Sequence, residues 1–309
     1  MTLRITPHRQ LQLSQLHTQG HLSRSNLLQN QISSGERIHR PSEDPEGQRT
    51  ILNQQAAIAR LETQVASIQY SRTYLHQGNV ELLDANQLLV QAKSLALEAR
   101  QSTEQTDLNI IASELDGYLQ TLESIANAKL DGRYLFSGAT NDTRPFSGIV
   151  EGPTQYHGSQ SSGEVVLANV DDVTVFLSGD EVFQHLNETG DARIDIFETI
   201  RTLKDDLRNR AHFSQDEWGA RIDRRIDELQ QSSDHVLNVV GEQSVSLQQF
   251  DRLQTRAEDL KHEAQILLSD TQSPDFATAV IQLQEEQNLL QYSLATVTRI
   301  FDLSVLDYL

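Results

Sequence analysis

The chain has 309 residues, of which 37 % are hydrophobic and only 6 % aromatic, so one large globular core is not expected. A formal net charge of −19 argues against nucleic-acid binding, because neutralising phosphates requires clustered Lys and Arg. The absence of cysteine excludes disulfides and thiolate chemistry, and no apolar run has the length of a transmembrane helix.

Residues 1–49 are predicted to form an amphipathic helix and a connecting loop. The first 35 residues contain no Asp or Glu. Gly35 is expected to end the helix, and Asp44 followed by Pro45 is typical of the N-cap and first residue of the next one. The helix carries a weak heptad row formed by Leu13, Leu16, Gly20, Ser23 and Leu27. The apolar residues Leu28 and Ile32 lie beside that row.

Residues 50–132 are predicted to form a long helix and a shorter one that returns antiparallel to it. The long helix repeats an apolar residue at every seventh position, while polar residues occupy the other heptad row, which predicts a narrow contact stripe with a hydrated surround. The shorter helix is predicted over residues 107–129. The sevenfold repeat comprises Leu61, Ile68, Leu75, Leu82, Leu89 and Ala96, and the polar row comprises Arg72, Asn79, Asn86 and Lys93.

Residues 133–192 change to short runs rich in β-branched and aromatic residues, separated by glycines. That pattern predicts a small all-β domain inserted between two helical halves. Because so few residues can bury little apolar surface by themselves, the domain is expected to pack against the helices.

Helical periodicity resumes near Ile194 and continues to residue 274. Ser214 and Glu217 have the spacing of a capping box, which predicts the start of a second very long helix there. The chain ends in a further helix, residues 275–309. Its heptad row includes Leu283, Leu290, Leu294, Val297 and Phe301, which are predicted to form the assembly interface.

The terminal helix cannot be stable alone, because only a minority of its residues are apolar and ordering each backbone residue costs about 1 to 2 kcal/mol. We therefore expect it to pair with residues 1–49 and to become ordered mainly in a polymer. The predicted fold is mainly α: an elongated antiparallel bundle or coiled coil of long helices from the amino- and carboxy-terminal halves, with the small β domain in the middle.

Candidates for chemistry are weak throughout. His17 and His21 have the spacing of metal ligands on a helix but lack a third ligand nearby, so both are expected on a solvated face. Adjacent carboxylates such as Glu285 and Glu286 point in different directions from a helix and are expected to be solvated too. We therefore predict no catalytic, metal or cofactor site, and no enzyme activity.

Three segments resemble motifs of the bacterial flagellin superfamily. Residues 28–38, LQNQISSGERI, resemble its amino-terminal helix end, and residues 41–47, PSEDPEG, resemble the restart that follows, with Glu43 and Glu46 as departures. Residues 131–138, DGRYLFSG, are similar to a segment found in its hook-filament junction branch. The matching residues are Ser34, Gly35, Arg37, Pro41, Ser42, Asp44, Pro45, Gly47, Gly132, Arg133, Tyr134, Phe136 and Gly138.

The resemblance implies a structural axial protein of the bacterial flagellum that forms the junction between hook and filament by polymerising through its terminal helices. It implies export through the flagellar type III apparatus after a transient cytoplasmic stage. The implied partners are further copies of the chain, a neighbouring hook-associated protein, flagellin and a cytoplasmic export chaperone at the carboxy-terminal helix, with no nucleic acid and no membrane. The alternatives are a short flagellin that builds the filament itself and a non-flagellar coiled-coil adaptor.

Overall fold

A computed structural model gives the fold and describes residues 7–140, 142–150, 152–161, 163–165, 173–187, 190 and 192–306. The helices are α1 Pro7–Ser34, α2 Pro45–Gln101, α3 Gln105–Ala126, α4 Gly179–Phe183, α5 Ile196–Arg208, α6 Gln215–Gln272 and α7 Phe276–Leu306. The strands are β1 Lys129–Leu130, β2 Arg133–Tyr134, β3 Phe146–Ser147, β4 Gln155–Tyr156, β5 Gly163–Val165, β6 Val173–Phe176, β7 Gln184–Leu186 and β8 Arg193–Asp195. The prediction of a mainly α protein with a small β region is confirmed.

The chain divides into two compact units. The first comprises residues 1–62 and 258–309, and the second comprises residues 63–257. Both chain ends therefore belong to the same unit, which is described first.

The terminal unit is built around α1 and α7, together with the first turns of α2 and the last turns of α6. Its buried apolar side chains are few. An ion pair of 3.5 Å joins Lys261 of α6 to Glu62 of α2. The buried apolar residues are Leu28, Ile38, Ile51, Ala264 and Ala279.

The second unit has a core in which α2 lies antiparallel to α6. The apolar residues that recur at every seventh position of α2 within this unit are all buried, as their spacing predicts. On α6 the buried side chains include Ile222, Leu229, Val236 and Phe250. On α2 they include Ile68, Leu75, Leu82, Leu89 and Ala96.

Three residues of the polar heptad row of α2, Arg72, Asn86 and Lys93, are hydrogen-bonded to α6, so the prediction of a hydrated surround is wrong for these positions. The fourth, Asn79, is buried, and its side-chain oxygen has no hydrogen-bond partner. Ser233 Oγ donates to Asn86 Oδ1 at 2.6 Å. Arg72 donates to the side-chain oxygen of Gln254 at 2.7 Å, and Lys93 donates to that of Gln230. Polar side chains at a helix contact are tolerated when they are paired in this way.

Helices α3 and α5 pack against each other beside this pair. Leu115 and Leu119 of α3 and Leu203 of α5 are fully buried. Asp116 accepts hydrogen bonds from Lys204 at 2.8 Å and Arg208 at 2.5 Å. The predicted end of α3 at residue 129 is too late, because Lys129 already pairs with Tyr134 in the β1–β2 hairpin.

Each strand of the β region pairs with one neighbour in a two-stranded antiparallel sheet. Such hairpins are stable only when their side chains pack elsewhere. Here the rings of Phe146 and Phe183 lie 5.5 Å apart, and Phe146 lies 5.3 Å from Phe197 of α5. Tyr74 of α2 packs edge-on against Phe176 at 4.8 Å, so the β region completes its core with the helices.

The helix after the β region begins later than predicted. Ile194 lies in β8, paired with His185 of β7. The Asp195 carboxylate then accepts from the backbone N–H groups of Phe197 and Glu198 at 2.9 and 3.0 Å, which caps α5. The predicted capping box is present at the start of α6, where Ser214 N–H donates to Glu217 at 3.0 Å and Glu217 N–H donates to Ser214 Oγ at 3.3 Å.

Candidate assembly surface

The terminal helices α1 and α7 are antiparallel and are joined by polar contacts. Thr18 and Ser293 share a hydrogen bond of 2.6 Å between their hydroxyls. One turn further along α1, His21 Nδ1 donates to Glu286 Oε2 at 2.6 Å, and Arg24 reaches the other carboxylate oxygen at 3.5 Å. Because the partners move backwards along α7 as α1 advances, these contacts fix the register of the pair.

Glu286 is the electrostatic centre of this contact. The hydrogen bond from His21 lowers the pKa of its carboxyl below the ordinary glutamate value, and Arg24 acts in the same direction. The contribution of Glu286 to stability is therefore present above the ordinary glutamate pKa and is lost as the pH falls. The expectation that His21 and Glu286 lie on solvated faces is wrong, since both side chains are largely covered by their contact.

The leucines predicted to form the assembly interface are largely exposed. Leu16 is 69 % exposed and Leu294 is 51 % exposed, although α1 and α7 are paired. Leu13 and Leu27 are also exposed, whereas Ile32, Leu283, Leu290 and Val297 are half-buried. Phe301 falls within α7, and its side chain lies outside the described residues. The two helices therefore cover only part of each other's apolar surface.

Further exposed apolar residues extend this surface beyond the heptad row. Leu22 on α1 is exposed, and so are Ile281, Leu289 and Tyr292 on α7. A search for one heptad row misses those of α7 because they lie beside it. The sequence indicates such a surface because α7 has more apolar positions than contact with a single helix can bury.

The connector between α1 and α2 is fastened to the end of α6. The backbone N–H of Arg37 donates to the carbonyl of Gln272 at 2.7 Å, and its guanidinium donates to the carbonyl of Thr271 at 3.2 Å. These carbonyls belong to the last turn of α6, where intrahelical partners are missing and a positive charge is favourable. At the other end of the connector, Gly35 N–H closes α1 by donating to Gln31 at 3.0 Å.

Asp44 caps the amino-terminal end of α2, as its sequence context predicts. Its carboxylate accepts from Gly47 N–H at 2.9 Å and from the Arg37 guanidinium at 3.0 Å. The hydrogen bond from Gly47 is the larger cause that lowers the pKa of Asp44, and Arg37 adds to it. Ser34 Oγ is hydrogen-bonded to His39 Nε2 at 2.8 Å. Pro41, Ser42 and Pro45 are exposed.

The motif at residues 132–138 organises the core of the β region. Asp131 and Gly132 form the turn between β1 and β2, and the ring of Phe136 is fully buried 5.2 Å from that of Phe183. Gly138 has a φ of +62°, and a Cβ atom there would lie 2.5 Å from the carbonyl oxygen of Ser159. Only glycine combines this backbone conformation with so close an approach.

The remaining motif residues of this segment have surface roles. Arg133 is exposed, and the ammonium group of Lys129 lies 4.2 Å above the ring of Tyr134. Tyr134 also accepts a hydrogen bond at its carbonyl from the hydroxyl of Tyr74, which ties the hairpin to α2.

Comparison with protein families gives a match to the bacterial flagellin N-terminal helical region over residues 8–141. The flagellar hook-associated protein 3 of Salmonella typhimurium is 24 % identical, with 88 % of both chains covered. The protein of that name from Escherichia coli is also 24 % identical, covering 89 % of this chain and 90 % of its own. Residues 8–141 are therefore similar to the N-terminal helical region of bacterial flagellin, and 88 % of the chain is similar to flagellar hook-associated protein 3.

Solved structures of flagellar hook-associated proteins share the fold. A putative flagellar hook-associated protein from Vibrio parahaemolyticus has a TM-score of 0.64 at 19 % identity, covering 75 % of this chain and all of that one. Flagellar hook-associated protein 3 from Legionella pneumophila has a TM-score of 0.60 at 16 % identity, covering 76 % and 99 %.

Within the described part of the chain, no three His, Asp or Glu side chains are grouped as metal ligands would be. The described helices include none that is long and apolar enough to cross a membrane.

Proposed function

We propose that the chain is a structural axial protein that joins hook to filament by polymerising through α1 and α7. The observation that carries this proposal is the exposed leucine surface on a helix pair that is already formed. Fully burying one such side chain contributes about 1.5 to 3 kcal/mol. Neighbouring subunits that cover Leu13, Leu16, Leu27 and Leu294 would therefore gain enough free energy to hold an assembly together.

The remaining predicted interface residues have a place in this proposal. Ile32, Leu283, Leu290 and Val297 are half-buried on the two paired helices, and Phe301 follows Val297 in the heptad spacing of the sequence. In the proposed division of labour, residues 1–49 and 275–309 mediate assembly and residues 50–132 and 193–274 form the helical body. Residues 133–192 form the β domain.

The partners follow from what the curated relatives are called, which is flagellar hook-associated protein 3. We propose that the chain contacts copies of itself, a neighbouring hook-associated protein and flagellin. Before export it would be held at α7 by a cytoplasmic chaperone, because the exposed apolar surface of α7 invites premature association. The protein would then be secreted into the flagellum, with no enzymatic activity of its own.

The short-flagellin alternative is less favoured, since both curated relatives are hook-associated proteins. Growth from purified hook ends carrying the proximal junction protein distinguishes the two. A junction protein should add a short layer and stop, whereas a flagellin should extend a filament under the same conditions. Electron microscopy with this chain present and absent measures the difference, and a long filament made of this chain alone would reject the junction role.

Leu294→Asp tests the surface itself. A charge placed in a subunit contact must be desolvated, so we expect the variant to be lost from hook ends while far-UV circular dichroism stays unchanged. Leu290→Asp should act in the same direction. The matched control is Ile110→Asp, which alters a 63 % exposed isoleucine on α3. Normal incorporation of both α7 variants would show that this surface is not the joint.

A further inference from the structure

Two histidines stack where the β region meets α6. The imidazole of His185, in β7, lies 4.4 Å from that of His235, in α6, and the two ring planes are inclined by only 15°. His185 is 6 % exposed. Beside the pair lies a surface cavity of about 600 Å³.

The hydrogen bonds fix which nitrogens carry protons. His185 Nδ1 lies 2.9 Å from the carbonyl of Leu186, so this nitrogen is the donor. His185 Nε2 lies 3.2 Å from the hydroxyl of Ser232, which is fully buried, so the neutral ring accepts there. His235 Nε2 donates to the carbonyl of Glu181 at 2.8 Å. The contact is thus satisfied when His185 is neutral.

Protonation of His185 disrupts this arrangement in two ways. A proton on Nε2 meets the hydroxyl proton of Ser232, which must then rotate away. A charged ring is also formed in a buried place against another imidazole. Burial lowers the pKa of His185, and His235 acts in the same direction.

Other charged groups around the pair come from three elements. On α4 there are Asp180 and Glu181, and on β8 there is Arg193, which forms an ion pair with Asp180. On α6 there is Asp234, whose carboxylate accepts from Gln230 at 2.9 Å. The side chain of His235 is only half-buried, so His185 is the ring whose charging is opposed by burial.

We propose that the His185–His235 stack is an acid-sensitive contact, which holds β7 on α6 while both rings are neutral and releases it in acid. The direction follows from linkage. An unfolded or opened His185 binds protons at its ordinary pKa of about 6.5, whereas the buried ring resists them. The contact is therefore at full strength above about pH 6.5 and weakens as the pH falls through that value.

Hydrogen exchange of the full-length protein tests this directly. Exchange of the segment 180–187 is measured by mass spectrometry at about pH 7.5 and about pH 5, on either side of the ordinary histidine pKa, and corrected for the intrinsic exchange rate. For each unit by which folding lowers the pKa of His185, we expect the protection of this segment to fall about tenfold in acid. Segments of α3 should keep their protection.

The double variant His185→Gln, His235→Gln removes both titrating rings and should lose the acid response. The matched control His212→Gln, which changes an exposed histidine, should retain it. Equal protection of segment 180–187 at both pH values in the wild type, or an acid response that survives in the double variant, would overturn the proposal.

A second measurement on the wild-type protein avoids any variant that folds poorly. Histidine ring carbons labelled with ¹³C should show by NMR one ring that titrates below the ordinary histidine pKa. The low-titrating resonance should be missing from the His185→Gln spectrum. Ordinary, independent titration of every ring would contradict the proposal.

Discussion

Gly47 shows how little space the connector leaves around the start of α2. A Cβ atom there would lie 2.5 Å from the Asp44 carboxylate and 2.6 Å from the buried side chain of Ile38. We expect Gly47→Ala to lower the free energy of unfolding by about 1 to 3 kcal/mol, because capping residue and core residue must both shift. Urea denaturation followed by circular dichroism measures the change.

Gly20→Ala is the matched control for Gly47→Ala. Gly20 lies within α1 with open space around its Cα, so alanine should be neutral or should stabilise by up to about 1 kcal/mol through helix propensity. Equal midpoints for Gly47→Ala and the wild type would show that the connector is looser than its contacts indicate.

The charge of Asp44 makes a prediction about pH. Because folding lowers the pKa of this carboxyl, its ionised form stabilises the protein at neutral pH, and the benefit disappears as the pH falls below the ordinary aspartate value. Asp44→Asn keeps a capping oxygen but loses the ion pair with Arg37. The variant should be less stable than the wild type at pH about 7, and the difference should shrink as the pH is lowered below the ordinary aspartate pKa towards pH about 3. A constant difference across that range, in denaturation curves at each pH, would refute the electrostatic part.

Local capping could be predicted from the sequence, but distant capping could not. Asp44 before Pro45 and Ser214 before Glu217 carry their signal within a few residues, and the structure shows both contacts. The bonds from Arg37 to the end of α6 join residues more than 200 positions apart. No local pattern indicates which carbonyls a guanidinium will reach.

At the scale of elements, heptad spacing predicted the contact face of α2 but not the extent of contact in the terminal helices. In α2 the sevenfold row is buried because α6 lies along it. In α1 and α7 the heptad rows leave Leu16 and Leu294 exposed. Each helix covers only one stripe of the other, and the sequence does not say how many partners a row has.

The β region was harder to predict for a physical reason. Its strands are two to four residues long, too short for a clear alternation of apolar and polar residues. Ile194 continued an apparently helical apolar pattern, yet the cap at Asp195 starts α5 after it. Pairing with β7 decides its conformation, and that pairing is a tertiary contact.

A designed cross-link tests the pairing of α1 with α7 in the free subunit. The chain has no cysteine, so Thr18→Cys with Ser293→Cys introduces the only thiols, at positions whose hydroxyls are 2.6 Å apart. Mild oxidation should give an intramolecular disulfide, seen as a faster band on a non-reducing gel.

Thr18→Cys with Asn288→Cys is the control for this cross-link. Residue 288 lies about 7.5 Å away along α7 and faces a different direction, so it should react slowly. If both pairs oxidise at the same rate, the register seen in the structure is not maintained in solution.

For the whole molecule, the net charge of −19 opposes association of identical subunits. Raising NaCl from about 20 mM to about 300 mM shortens the Debye length from about 20 Å to about 6 Å. We therefore expect self-association to increase with salt, measured by sedimentation velocity at one protein concentration. The Leu294→Asp variant should show little increase, because screening helps only when the apolar surface is intact. Salt-independent association of the wild type would mean that the interacting surfaces carry little of this charge.

The hydrogen-bonded polar row between α2 and α6 has a mechanical consequence. Two helices joined only by leucines could slide by one heptad and recover an equivalent contact. Sliding here would separate Asn86 from Ser233 and Arg72 from Gln254, and leaving the buried Ser233 hydroxyl unsatisfied would cost about 1 to 3 kcal/mol. A pull or twist applied along one of these helices is therefore transmitted to the other without slippage.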